Sequence, residues 1–216
     1  MDEIFYVELV EEITYPGGTR VLVWRLDEEA PELLLLCRAA GIYVDDLVEL
    51  PVKRQREKAV ERLLLCHALG RPVTLSHTPQ GAPVIDNHEG LNISITHTRH
   101  LVALALNDDV VIGLDAEQTD REQVIKVRHK FLNASEQQFI APDDQTAHII
   151  AWTAKEAVIK AERNSAIDWT DGIVLDPMAA TADETTLQAR CGDHRYRLTC
   201  RRVAGHFITV ALPTAG

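Results

Sequence analysis

The sequence predicts an α+β fold in two similar-sized halves that meet near residue 107. Two observations carry this. Strand–helix–strand order occurs twice, each time around a long helical pattern, Val52 to Leu69 and Asp143 to Arg163. Between those patterns L-V-A-L-A-L, Leu101 to Leu106, is a continuous apolar run of the kind found in a strand covered on both faces.

Taken in order, Met1 to Val10 and Thr19 to Trp24 read as strands flanking a Pro16-Gly17-Gly18 turn. A helical stretch follows at Pro31 to Ala40. Pro51 starts the next helix, Val60, Leu63, Leu64 and Ala68 give it an apolar stripe, and Gly70-Arg71-Pro72 stops it. Gly81-Ala82-Pro83 turns into a short strand at Val84-Ile85. L-N-I-S-I-T-H, Leu91 to His97, alternates apolar and polar residues as a half-buried strand does. Asn107-Asp108-Asp109 is expected to fold Leu101–Leu106 back on V-V-I-G-L-D-A-E-Q, Val110 to Gln118, as a hairpin. Helices are expected at Arg121 to Phe131, at Asn133 to Ile140 with Asn133-Ala134-Ser135-Glu136 as a capping box, and at Asp143 to Arg163, ended by Asn164. Strands return at Gly172–Leu175, Thr186–Cys191, His194–Arg201 and His206–Leu212.

The chain has 216 residues, 46% apolar and 25% charged, an ordinary globular composition. Its longest aliphatic run, Leu33 to Leu36, falls far short of the roughly 20 residues of a membrane helix. The acidic N-terminus carries no secretory signal pattern. Four widely spaced cysteines without a C-x-x-C read as free thiols of a reducing cytoplasm. A net charge of -11 weighs against non-specific nucleic-acid binding. Positive charge is concentrated at Lys53-Arg54-Gln55-Arg56-Glu57-Lys58, Arg62 and Arg71, either a solvated helix face or a seat for phosphates or an acidic partner.

Asp115 and Glu117 are two residues apart on a strand and therefore share a face, on which Gly113 leaves room. Two such carboxylates repel unless something positive separates them. In the long C-terminal helix Glu156 and Lys160 are i,i+4 neighbours, and Lys155 lies about 100° round from Glu156. Alone, Glu156 and Lys160 would be an exposed ion pair worth a few tenths of a kcal/mol, and a D-x-E pair at a strand end arises by chance. A third carboxylate near Asp115 and Glu117 would complete an oxygen site for a hard divalent cation such as magnesium, with water and substrate phosphates in its remaining positions, and lysines beside it suit phosphate oxygens.

G-L-D-A-E (Gly113–Glu117), followed about forty residues later by W-T-A-K-E-A-V-I-K (Trp152–Lys160), resembles the paired signature of the 4′-phosphopantetheinyl transferases. N-I-S-I-T-H-T (Asn92–Thr98) is similar to that family's third motif, Gly81-Ala82-Pro83 to its glycine–lysine–proline turn, and K-F-L-N-A-S-E (Lys130–Glu136) to its linking segment. The motifs span roughly Pro51 to Arg163. The length resembles the larger single-chain members, which implies two fused pseudo-symmetric halves, each a small antiparallel sheet packed on a long helix. These are residues 1–107, holding coenzyme A, and 108–216, with the metal site and catalytic helix.

The resemblance implies transfer of 4′-phosphopantetheine from coenzyme A to a serine of an apo acyl or peptidyl carrier protein, with release of adenosine 3′,5′-bisphosphate. It implies Mg2+, or Mn2+, held by Asp115, Glu117 and Glu156. It gives Lys160 the pyrophosphate with Lys155 as second candidate, and Glu156 the serine proton. Thr96 and His97 match a pair that touches coenzyme A phosphates; His97 by itself reads as a structural histidine. Arg54, Arg56 and Arg62 fall where the family binds the 3′-phosphate, Arg54 first. A cytoplasmic monomer with no membrane or nucleic-acid partner is expected. Two departures stand out. Ala82 replaces the family lysine, with Arg71 a candidate to fill its place, and Asn164-Ser165 replace glycines. The alternatives are an inactive carrier-binding homologue, which the Ala82 departure favours, and a different magnesium-dependent phosphoryl enzyme such as a nuclease, which the acidic charge opposes.

Overall fold

The structure, a computed structural model, describes residues 9–86 and 90–214. The elements run β1 (Leu9–Thr14), β2 (Arg20–Arg25), α1 (Ala30–Ala39), α2 (Val52–Leu69), β3 (Leu75–His77), β4 (Pro83–Ile85), β5 (Asn92–His97), β6 (Leu101–Asn107), β7 (Gly113–Gln118), α3 (Gln123–Lys126), α4 (Gln145–Glu162), β8 (Ile173–Leu175), β9 (Ala179–Ala180), β10 (Glu184–Cys191), β11 (His194–Val203) and β12 (His206–Pro213). All pairings are antiparallel. One sheet has the order β1-β2-β6-β5, the other β7-β12-β11-β10-β8 with β9 against β10; β3 and β4 form a small ribbon.

The two long helices cover the outer faces of these sheets. In α2, Val60, Leu63 and Leu64 are buried against Leu22, Trp24, Val102 and Leu104 of the first sheet. Gly70 ends the helix in the left-handed conformation, φ 67°, as the sequence predicts. In α4, Ala154, Ala157 and Val158 are buried among Leu187, Leu198 and Ala211 of the second sheet. Asp144 accepts the Ala147 N–H and caps its start.

A third core lies between the sheets. Val21, Val23, Leu101, Ala103 and Ala105 of the first sheet meet Leu114, Ala116, Ile208 and Val210 of the second. The layers therefore run helix, sheet, sheet, helix. This explains the unbroken apolar run of β6. Its even positions, Val102, Leu104 and Leu106, face the α2 core, and Leu101, Ala103 and Ala105 face the other sheet.

The structure departs from expectation at several elements. β7 does not pair with β6; it leaves the first sheet and pairs with β12. The turn chemistry itself is as expected: Asn107 Oδ1 accepts the N–H groups of Asp109 and Val110, while its amide holds Gly17 and Thr19. The two helices expected between 121 and 140 shrink to α3 and short 3-10 turns. β3 and β9 are additional to the strands that the sequence predicts. The first strand is observed from Leu9 and runs on to Thr14, the expectation for residues 1–8 lying outside the described residues. All four cysteines are buried free thiols. Among the described residues no helix is long and apolar enough to cross a membrane.

Candidate active site at the seam of the two sheets

β5 is an edge of the first sheet and β7 an edge of the second, and they lie side by side without a backbone ladder. Side-chain hydroxyls join them instead. Ser94 Oγ accepts the Leu114 N–H at 2.9 Å, and Thr96 Oγ1 accepts the Ala116 N–H at 3.3 Å. The alternation of β5 puts both hydroxyls on one side, where they satisfy donors that an open edge would leave exposed.

The other face of β7 is pressed on α4. A Cβ on Gly113 would stand 1.7 Å from the Ala157 carbonyl oxygen, so only glycine allows this approach. Two residues on, Asp115 is 6% exposed. Its Oδ1 accepts from Lys160 Nζ at 2.7 Å and from the Thr96 hydroxyl at 3.1 Å, and Lys160 also donates to the Leu114 carbonyl at 2.8 Å. Both side-chain donors take the same oxygen. Oδ2 is buried and has no hydrogen-bond partner among the described residues. Glu156 is half-buried on α4; burial first, and then the Asp115 carboxylate, push its pKa upward. The site thus holds more negative charge than Lys160 neutralises.

Glu117 shares the face of Asp115 but pairs with Arg121, whose guanidinium lies 4.9 Å from the centre of the Trp152 ring. Among the described residues no three acidic, histidine or cysteine side chains converge as a ready cage for a metal. Asp115 and Glu156, with a bare buried oxygen between strand and helix, are nonetheless an oxygen donor set that fits a hard divalent cation.

Farther along β5, His97 Nε2 accepts from Arg54 Nη1 at 3.1 Å and lies 3.2 Å from Glu57 Oε2. Burial lowers the His97 pKa, against the pull of Glu57 and Glu61. Arg54, 46% exposed, also pairs with Glu57 at 2.8 Å, so a cation and a histidine face solvent together at the start of α2.

The remaining expected site residues lie elsewhere. Arg56 donates to the carbonyls of Leu26 and Glu28 and fastens the loop before α1. Arg62 forks onto Asp46 at 2.6 and 2.8 Å and reaches the Tyr43 carbonyl. Lys155 is fully buried, with Nζ on Glu136 Oε2, Trp169 O and Ile173 O, each at 2.8 Å. Glu136 in turn accepts the N–H groups of Asn133 and Leu175. The expected capping box at Asn133–Glu136 is present, and it orients the carboxylate that holds Lys155. Sequence reasoning missed the link from Thr96 to Asp115; its only signal was the alternation of Ser94 and Thr96 along β5.

Residues 111–211 match the model of the 4′-phosphopantetheinyl transferase superfamily, a stretch that contains β7, α4 and the whole second sheet. Comparison with curated proteins gives no match.

Proposed function

We propose that this chain moves the 4′-phosphopantetheine arm of coenzyme A onto a serine hydroxyl of an apo carrier protein and releases adenosine 3′,5′-bisphosphate. The superfamily match over residues 111–211 supports phosphopantetheine transfer in general. The observation that carries the reading for this chain is the buried Oδ2 of Asp115, without a hydrogen-bond partner among the described residues, beside the half-buried carboxylate of Glu156.

Asp115 and Glu156 would hold Mg2+ or Mn2+, with Glu117 joining once released from Arg121. The bound cation would neutralise charge on the pyrophosphate oxygens. Lys160, 29% exposed on its Asp115 ion pair, is placed to shift its ammonium to the phosphate that is attacked. Arg54 and His97 form the seat proposed for the 3′-phosphate. The serine oxygen forms its bond to the β-phosphorus, the bond from that phosphorus to the bridging oxygen breaks, and the adenosine bisphosphate leaves with that oxygen. Glu156 takes the serine proton directly or through a water. Lys155, held on Glu136, serves the fold of this site rather than the substrate. One chain supplies both the α2 and the α4 sides, so a monomer suffices.

The test is incubation with coenzyme A, magnesium and a panel of apo carrier proteins, read by intact mass. A mass gain of one phosphopantetheine on at least one carrier is expected. Binding of coenzyme A with no gain on any carrier would overturn the proposal in favour of a carrier-binding homologue.

A further inference from the structure

A cleft of about 190 Å³ opens beside Lys160, between the Gly81–Pro83 turn, β5 and the C-terminal end of α4. Among the described residues two charged side chains line it, Lys160 and Arg163, and no carboxylate does. Lys160 is shared with Asp115, so in a chain of net charge -11 Arg163 is the cation that this otherwise uncharged lining offers to an anion. Of the two cations, one comes from the last turn of α4 and the other from the residue that ends it, and both line the same cleft.

Arg163 has two further properties. Its backbone is left-handed, φ 53°, at the position after the last turn of α4, where Gly70 serves α2 without steric cost. A side chain there is strained, and retained strain is a reason to ask what that side chain does. Its recorded side-chain partner is neutral: Nη2 donates to Asn92 Oδ1 at 3.0 Å. Among the described residues Arg163 forms no ion pair, unlike Arg54, Arg62 and Arg121. Asn92 therefore orients the guanidinium without neutralising it. The same cleft contains Ala82, whose methyl leaves the opposite wall uncharged. Arg71 is no substitute, because it lines a different cleft with Asp46 and Asp86.

We propose that Arg163 binds the pyrophosphate of coenzyme A as a second cation beside Lys160, supplying from α4 the charge that Ala82 does not supply from the turn. This rests on the function proposed above. A helix C-terminus also attracts a cation through its dipole, and that weaker role predicts a different result.

The experiment measures calorimetric binding of coenzyme A and of dephospho-coenzyme A, with magnesium, to wild type, Arg163→Gly and Arg163→Lys, together with Tm. Arg163→Gly removes the cation and relieves the left-handed strain. Its dissociation constant should rise about tenfold for both coenzymes, as loss of one charge-assisted contact implies, while Tm does not fall. Arg163→Lys should stay within about threefold of wild type. Unchanged affinity in Arg163→Gly with a lowered Tm would assign Arg163 to the helix terminus alone and overturn the proposal. A loss confined to coenzyme A would overturn it by moving the contact to the 3′-phosphate. Wild type that binds neither coenzyme would remove the functional reading itself, and this inference with it.

Discussion

The Thr96 hydroxyl donates to Asp115 Oδ1 at 3.1 Å while it accepts the N–H of the next residue of that strand, Ala116, at 3.3 Å. One hydroxyl thereby fixes both the backbone and the side chain of β7 at the candidate site. With Lys160 on the same oxygen, it turns Oδ2 into the open side of the carboxylate. Thr96→Val keeps the shape and removes the hydroxyl. Stability should fall by about 1–3 kcal/mol, the cost of an orphaned buried donor, and transfer should fall about tenfold as Asp115 loses its orientation. Thr96→Ser should restore most of both. Equal Tm and equal transfer in Thr96→Val would remove the positioning role.

Asp115→Asn changes little volume and removes one anion. Magnesium should raise the Tm of wild type, because a ligand that binds only the folded state stabilises it, and should leave the Tm of the variant unmoved. Transfer should drop about a hundredfold or more, as when a strong electrostatic stabiliser is deleted. A variant that keeps the magnesium-dependent Tm rise would exclude Asp115 as a ligand.

Lys155 and Glu136 form an ion pair with neither side chain exposed. Burial draws the Lys155 pKa down and Glu136 holds it up. Lys155→Met leaves a buried carboxylate facing only backbone donors, and should cost about 3–5 kcal/mol in urea unfolding. Adding Glu136→Gln should recover part of that loss. Transfer per folded molecule should stay near wild type in the double variant. A Lys155→Met protein of normal stability that cannot transfer would restore Lys155 to the chemistry.

His206 gives the fold an acid-sensitive clasp. Its Nδ1–H donates to the Ala204 carbonyl at 2.8 Å and its Nε2 accepts from the Thr98 hydroxyl at 2.9 Å, which ties β12 to the end of β5. Burial lowers its pKa below the usual 6.5; His100 pushes the same way, and the Ala204 carbonyl and Asp120 oppose it. The unfolded chain therefore binds a proton at a pH where the folded chain does not. Stability from this group is complete above about pH 6.5 and is lost as pH falls toward the folded value. Tm measured from pH 7.5 down to pH 5 should fall less steeply in His206→Gln than in wild type. Parallel curves would show that other groups set the acid limit.

What the sequence revealed depended on whether the deciding interaction was local. Pro51 and Gly70 mark the bounds of α2 by backbone chemistry, and the helix spans Val52–Leu69 as read. The shared face of Gly113, Asp115 and Glu117 follows from a period of two and needs no tertiary information. The β6–β7 hairpin fails for the opposite reason. Asn107 makes the expected turn, but a turn does not choose a strand's partner, and β7 takes β12 from the far end of the chain. Lys155 fails likewise: its place about 100° round from Glu156 says nothing of which flank is buried. The buried Glu136 decides that. In the basic run around α2, Arg56 and Arg62 are used by loop carbonyls and Asp46, while Arg54 meets His97; no spacing rule separates the three.

The core shared between the two sheets means that the boundary seen in sequence is not a seam along which the molecule comes apart. The segment matching the superfamily carries Leu114, Ala116, Ile208 and Val210, and their partners Val21, Val23 and Leu101 lie outside it. Expressed alone, that segment would carry a bare apolar sheet face and an Asp115 without Thr96. Severed after residue 107, the chain should give two fragments that aggregate when made separately and reassemble when made together, each acting as the chaperone of the other's inner face.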